Sequence, residues 1–174
     1  MITIREYLQD NTLITDGAMG TYYAQITGNY DNLPEYENIK NPEIIKQIHR
    51  EYIAAGAKLI KTNTFSANPL ALTVSKAALQ EIIVAGIHIA KEVAQEEDIF
   101  VAASIGPIPE MTDNIHVDQE KMIEYYKFIV DIFLAQGIKI FIFETFSDAA
   151  SLGEVASYIK KIDSSLFIVA QFAT

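Results

Sequence analysis

The sequence predicts an α/β fold built on a parallel sheet, and three observations carry that prediction. Five short runs rich in aliphatic, β-branched and aromatic residues recur along the chain, at residues 12–15, 58–62, 99–104, 138–144 and 166–172. They are close to continuous rather than alternating, as strands buried on both faces are. Between them lie stretches whose apolar residues repeat at helical spacing. The resulting order, β-α-β-α-β-α-β-α-β, demands right-handed crossovers and hence parallel strands.

Each helix has its own signals. The first starts at Asn41 as cap with Pro42 in its first turn, buries Ile44, Ile45, Ile48 and Tyr52 on one face, and ends where Gly56 suits a left-handed C-cap. The second covers residues 75–96, with Leu79, Ile82, Ile83, Ile87 and Ile89 or Ala90 as its buried stripe. The third covers residues 118–136, with Asp118 as cap and Gly137 at the exit, and the fourth residues 147–161, where Lys160 and Lys161 complement the helix dipole. Two architectures satisfy this order: a barrel wall that stops after strand five, or a complete five-stranded doubly wound sheet. Residues 28–41 form a long βα connection, the kind that often carries function.

Composition excludes several classes. Half of the 174 residues are apolar, enough for a sizeable core. Thirteen basic against 23 acidic residues give a net charge of −10, which repels phosphate backbones and argues against nucleic acid. No cysteine is present, so neither a disulfide nor a thiolate zinc site arises from this chain. The N-terminus lacks the pattern of a signal peptide, and no apolar run is long enough to span a bilayer. A cytoplasmic domain is expected.

In either architecture ligands bind at the C-terminal ends of the strands. The run-ending residues are Asp16-Gly17-Ala18-Met19-Gly20-Thr21, Lys61-Thr62-Asn63-Thr64-Phe65, Ser104-Ile105-Gly106-Pro107, Glu144-Thr145-Phe146-Ser147-Asp148 and Gln171-Phe172-Ala173-Thr174. Asp16 and the small residues after it make a tight turn whose backbone N–H groups suit a carboxylate, or simply an ordinary Asp-Gly turn. Glu144 ends an apolar run, where it either binds a substrate ammonium or is satisfied by backbone donors or a Lys. Asn63 and its flanking threonines are pocket groups or strand-end caps, and Phe65 is a pocket wall or core. His49, on the first helix, reads as structural, and His88 and His116 have no metal-like spacing with it. No dinucleotide fingerprint or phosphate loop follows any strand.

Taken together these segments resemble the homocysteine S-methyltransferase family. The resemblance rests on Asp16-Gly17-Ala18-Met19-Gly20-Thr21, on His49-Arg50-Glu51-Tyr52 followed by Ala55-Gly56-Ala57, on Thr62-Asn63-Thr64-Phe65, on Ser104-Ile105-Gly106-Pro107 and on Glu144-Thr145-Phe146, in the family's order over nearly the whole chain. It looks most like the homocysteine-binding module of cobalamin-dependent methionine synthases, or equally of bifunctional proteins carrying a methylenetetrahydrofolate reductase. The resemblance implies a partial TIM (β/α)8 barrel, the first five parallel strands with four helices, with residues 1–174 as the N-terminal part of the domain. It implies methyl transfer to the sulfur of homocysteine, giving methionine, from methylcobalamin, methyltetrahydrofolate, betaine or S-methylmethionine. It also implies a zinc ion held by three cysteines, and this chain has none. By the same resemblance the amides near Gly17 and Ala18 hold the amino-acid carboxylate, Asp16 shapes their turn, Glu144 binds the ammonium, and Phe65 lines the pocket beside Asn63.

The chain is therefore expected to carry the amino-acid clamp, to lack the metal, and to be inactive alone. Its open barrel edges predict a homodimer or larger assembly. Two rivals remain: a free-standing five-stranded binding domain without catalysis, and a barrel enzyme using Asp16 and Glu144 as an acid–base pair.

Overall fold

The computed structural model describes residues 2–95, 97–109, 111–112, 115–116, 118–147 and 149–173. Asp148, Glu96 and Thr174, which the sequence placed at element ends, lie outside them. The elements run α1 (Ile4–Asp10), α2 (Met19–Thr27), a 3-10 turn (Pro34–Tyr36), α3 (Glu37–Lys40), α4 (Pro42–Ala54), β1 (Leu59–Lys61), α5 (Lys76–Gln95), β2 (Phe100–Ile105), β3 (Met111–Thr112), β4 (Ile115–His116), α6 (Gln119–Ala135), β5 (Ile140–Phe146), α7 (Ala150–Ile162) and β6 (Phe167–Phe172). β3 and β4 pair antiparallel as a separate two-stranded sheet, while the other four strands are parallel in the order β1-β2-β5-β6. Thr15 bridges β1 from the other side. Neighbours in the sheet thus follow chain order with no switch point, so the strands make a barrel wall and not a doubly wound sheet. No helix of the described residues is long and apolar enough to cross a membrane.

Alternation along the strands sorts the core into two. Leu59, Phe100, Ala102, Ile140 and Ile142 face the barrel interior with Phe167 and Val169, and Ile4 and Tyr7 of α1 close that interior from below. The Tyr7 and Phe100 rings meet edge to face at 5.5 Å. Ala103, Ile105, Phe141, Phe143 and Phe146 face the other way, against α5, α6 and α7. Phe146 stays in that outer layer only because β5 carries one extra residue against β6: Phe143 pairs with Ala170, but Phe146 pairs with Phe172. Thr145 absorbs the insertion at φ 59°, a conformation costly for a β-branched residue.

The differences from the sequence reading have local causes. The predicted strand at 12–15 shrinks to the Thr15 bridge, held by Lys58 and Leu59 N–H groups on the Ile14 carbonyl and by the Asp16 N–H on Leu59. Its only described strand partner is β1, so no longer ladder forms. Asn41 precedes α4, but its side chain does not cap it. The residue also terminates α3, donating its backbone N–H to Glu37. Asp118 does cap α6, accepting from the Lys121 N–H at 2.8 Å. α1 has a complete capping box, Thr3 with Glu6, which the strand-centred reading passed over. The long 28–41 connection is also largely ordered into a 3-10 turn and α3.

That connection is pinned by two buried asparagines. The Asn38 amide donates to the Asn63 carbonyl at 2.8 Å and to the Ile82 carbonyl at 3.1 Å, while its oxygen accepts from Asn63 Nδ2 at 2.8 Å. Asn63 Nδ2 also donates to the Pro34 carbonyl. Asn38→Ala strands several of these groups, and each unmet buried polar group costs about 1–3 kcal/mol. Urea unfolding is expected to show a loss of about 2–4 kcal/mol. A loss below about 1 kcal/mol would show that water replaces the amide.

Candidate functional site

On the interior face, the apolar layers give way to polar side chains at the C-terminal ends of the strands. Lys61 keeps the parity of Leu59 on β1, Ser104 that of Phe100 and Ala102 on β2, and Glu144 that of Ile140 and Ile142 on β5. Asp16 arrives from the Thr15 bridge. They line one cleft of about 320 Å³ together with Gly17, Ala18, Glu35, Asn63, Phe65 and Thr145.

Lys61 is the hub. Its Nζ donates to Glu144 Oε2 at 2.8 Å and lies 3.5 Å from Asp16 Oδ1. Its backbone N–H donates to Asp16 Oδ2 at 2.8 Å. Ser104 Oγ donates to the other Glu144 oxygen at 2.5 Å. Burial works against the Lys61 charge, but Asp16 and Glu144 together outweigh it and hold the ammonium above its ordinary range. Asp16 goes the other way. Burial pushes its carboxyl up to about 7, Lys61 opposes the rise, and the Glu144 charge adds to it. The two shifts are consistent because Lys61 is hydrogen-bonded to Glu144 and only near Asp16, whose Oδ1 is buried without a hydrogen-bond partner.

The turn beside this group is held from behind. A Cβ on Gly17 would lie 2.8 Å from the Tyr52 hydroxyl, so a larger residue here would push the Tyr52 ring of α4 aside. That hydroxyl donates to the Ala18 carbonyl at 3.2 Å. α2 starts at Ala18 with no side-chain cap, leaving its first-turn N–H groups for a ligand or water. Across the cleft, Phe65 rests on Gly106, where a Cβ would come within 2.6 Å of the Phe65 carbonyl. Phe65 is 40% exposed and lines the cleft, so it is a wall of it and not core.

Asn63 lines the same cleft but is 2% exposed, its Nδ2 donating to Pro34 and Asn38. The threonines beside it are strand-end caps. Thr64 donates to the Ser104 carbonyl at 2.8 Å, and Thr62 accepts from the Ser104 N–H at 3.1 Å and donates to Thr64. Lys61 and Glu35 were not recognised as site residues from sequence. Lys61 had a usable signal, a cation ending an apolar strand at an inward parity. Glu35 had none, since its burial comes from the folded connection. Its Oε1 accepts from the Ser66 N–H at 2.6 Å, Oε2 is buried without a partner, and burial raises its carboxyl. His49, which the sequence reads as structural, is fully buried on α4 with neither ring nitrogen hydrogen-bonded and does not line the cleft.

The donor set does not fit a zinc ion. The chain has no cysteine, and among the described residues no three His, Asp or Glu side chains converge as a metal site. Between Asp16 and Glu144 the cation is already supplied by Lys61.

A parallel barrel wall with a carboxylate–ammonium–carboxylate cluster at its C-terminal mouth defines a class: a small-molecule site of the barrel-enzyme type. The family follows from the sequence as a whole. Residues 13–174 match the homocysteine S-methyltransferase family profile, and the chain belongs to that family. It is 30% identical over 111 residues to betaine–homocysteine S-methyltransferase 1 of Danio rerio, covering 62% of this chain and 27% of that protein. It is 32% identical over 115 residues to methionine synthase of Mycobacterium leprae (strain TN), covering 59% of this chain and 10% of the relative. The fold matches the metallated form of the homocysteine methyltransferase MmuM from Escherichia coli with a TM-score of 0.77 at 21% identity, over 98% of this chain and 65% of that one. The chain thus spans under a third of the length of these curated relatives and about two thirds of the solved structure.

Two buried groups set opposing pH dependences. Asp16 titrates higher folded (about 7) than unfolded (3.8), so its contribution is full below about pH 4 and is lost as pH rises to 7. Burial lowers His49 from 6.5 to about 4, so its contribution is full above pH 6.5 and is lost as pH falls to about 4. Asp16→Asn removes only the first. Its unfolding free energy, from urea titrations, is expected to fall more steeply than the wild type's on acidification across this window, by up to about 4 kcal/mol. Parallel profiles would show that Asp16 titrates normally.

Proposed function

We propose that this chain forms the amino-acid-binding part of an enzyme that transfers a methyl group to the sulfur of homocysteine, giving methionine. The observation that carries this reading is Glu144, an inward carboxylate held by Ser104 and Lys61 at the barrel mouth, facing the uncapped start of α2 across one cleft. A cation site and an anion site at the two sides of a small cleft suit the two ends of an α-amino acid. Glu144 takes the ammonium, the amides around Gly17 and Ala18 take the carboxylate, Asp16 shapes the turn, and Phe65 and Asn63 line the space left for the side chain.

In the reaction the homocysteine sulfur forms the new C–S bond as the methyl group leaves its donor, and the thiol proton is lost. The groups described here bind and orient the amino acid. On this reading thiol activation is not among their roles, and the chain alone binds homocysteine without turning it over. We propose methylcobalamin or methyltetrahydrofolate as the donor, on the motif resemblance; another relative is named for betaine.

The acid–base rival fits less well. Asp16 is 6% exposed with its Oδ2 held by the Lys61 backbone N–H, and Glu144 is held by Ser104 and Lys61, so both carboxylates are committed within the cluster.

Glu144→Gln keeps size and removes charge. A charge-assisted hydrogen bond is worth about 1.5–3 kcal/mol, so calorimetry is expected to show homocysteine binding weakened roughly ten- to a hundredfold. Unchanged affinity with a lowered melting temperature would move Glu144 to the scaffold.

We also propose that the chain self-associates. Ala170, Gln171 and Phe172 of β6 are exposed, at the edge of the described sheet. Sedimentation is expected to show a dimer or larger species at micromolar concentration, and a stable monomer would overturn this.

A further inference from the structure

The proposed clamp leaves Lys61 without a task beyond neutralising two carboxylates, and its surroundings suggest one. Lys61 and Glu144 both line the cleft, with side chains 13% and 14% exposed. An ammonium has three donors, and Lys61 Nζ makes one close hydrogen bond, to Glu144, with Asp16 Oδ1 farther off at 3.5 Å. A carboxylate has about four acceptor positions, and Glu144 receives one bond on each oxygen, from Ser104 and Lys61. Each member of the pair therefore keeps spare capacity of its own sign beside the same space. Glu144 alone recognises any amine. The pair recognises an ammonium and a carboxylate on one carbon.

We propose that Lys61 is a specificity residue that reads the α-carboxylate of the substrate, so that Glu144 and Lys61 together select a zwitterionic amino acid over the corresponding amine. The inference rests on the amino-acid reading of the site given above. It adds a charged group to the backbone amides near Gly17 and Ala18. Asp16 acts as the anchor: it holds the Lys61 backbone through Oδ2 and stands beside the ammonium through Oδ1, keeping Nζ at the cleft when Glu144 turns part of its capacity to the ligand. No covalent step is involved.

The test is calorimetric binding to the whole chain of three probes: homocysteine under reducing conditions, its decarboxylated amine and its deaminated acid. Wild type is expected to bind homocysteine at least about tenfold more tightly than either analogue, the order of one charge-assisted contact. Lys61→Met is expected to weaken homocysteine binding roughly ten- to a hundredfold while leaving the amine unchanged or tighter, because a competing cation is gone. Lys61→Arg, which keeps the charge, is expected to restore most of the preference for homocysteine over the amine, and far-ultraviolet dichroism with melting confirms that each variant is folded. If Lys61→Met binds homocysteine as tightly as wild type or more so, Lys61 is only a counter-ion and the proposal falls. If wild type binds the amine as well as homocysteine, the carboxylate is not read and the proposal falls, while the assignment of Glu144 stands. If wild type binds neither, the amino-acid reading of the cleft fails and takes this inference with it.

Discussion

In a parallel strand successive side chains point to opposite faces, and in this chain each face already has a committed neighbour. The outer face of β1, β2, β5 and β6 packs on helices, and the inner face closes over Leu59, Phe100, Ile140 and Ile142. A polar residue is tolerated on the inner face only where the apolar layers end and water or a partner is in reach. That constraint, more than any single contact, places Lys61, Ser104 and Glu144 together: each lies two residues beyond an interior apolar or alanine position of its own strand. The one irregularity serves the same rule. The extra residue at Thr145 lets Glu144 keep its inward direction while Phe146 returns to the outer core.

Bringing two carboxylates and one ammonium into a half-enclosed cleft has electrostatic consequences that the uncharged core does not share. Lys61 satisfies Glu144 closely and Asp16 at longer range, and burial, only partly offset by the more distant ammonium, pushes Asp16 up to about 7. Removing either partner of a buried pair exposes an uncompensated charge, which costs more than the pair itself contributes. The cluster is therefore weak evidence of stabilisation. It is better explained as a site in which charge is kept in place for a charged ligand.

Much of this was legible in the sequence. The helices at 42–54, 76–95 and 119–135 follow from apolar periodicity and punctuation by Pro42, Gly56, Asp118 and Gly137, because their stripes are long enough to outweigh local alternatives. Asp16, Gly17, Ala18, Phe65 and Glu144 were legible as strand-end residues, and all line the cleft. Lys61 was legible as a strand-end residue too, but not as a site residue, since its signal, a cation ending an apolar strand, reads equally as a solvated strand end until the partner strands show what faces it. Asn38 and Glu35 were less visible still: their burial depends on α3 and the 3-10 turn folding back over β1 and α5, a long-range event with no local pattern. The architecture itself needed strand order, which periodicity does not contain.

The connection that hides Asn38 and Glu35 also bears on how rigid the cleft is. Asn63, two residues past β1, donates to both Pro34 and Asn38, and Glu35, in the same turn as Pro34, accepts the Ser66 N–H just after the cleft wall at Phe65. Phe65 is in turn fixed by its carbonyl on the Gly106 N–H, and Gly17 by the close approach of Tyr52. The two walls of the cleft are thus tied to α3, α4 and β2 through short polar contacts, although each wall is a loop. A binding loop held this way gives up little freedom when a ligand arrives, so more of each contact's free energy remains as affinity. On the proposed reading, recognition rests on fixed positions of Glu144, Lys61 and the Gly17–Ala18 amides, and a substitution in Asn38 or Gly106, neither of which needs to touch a ligand, would loosen it by loosening the walls.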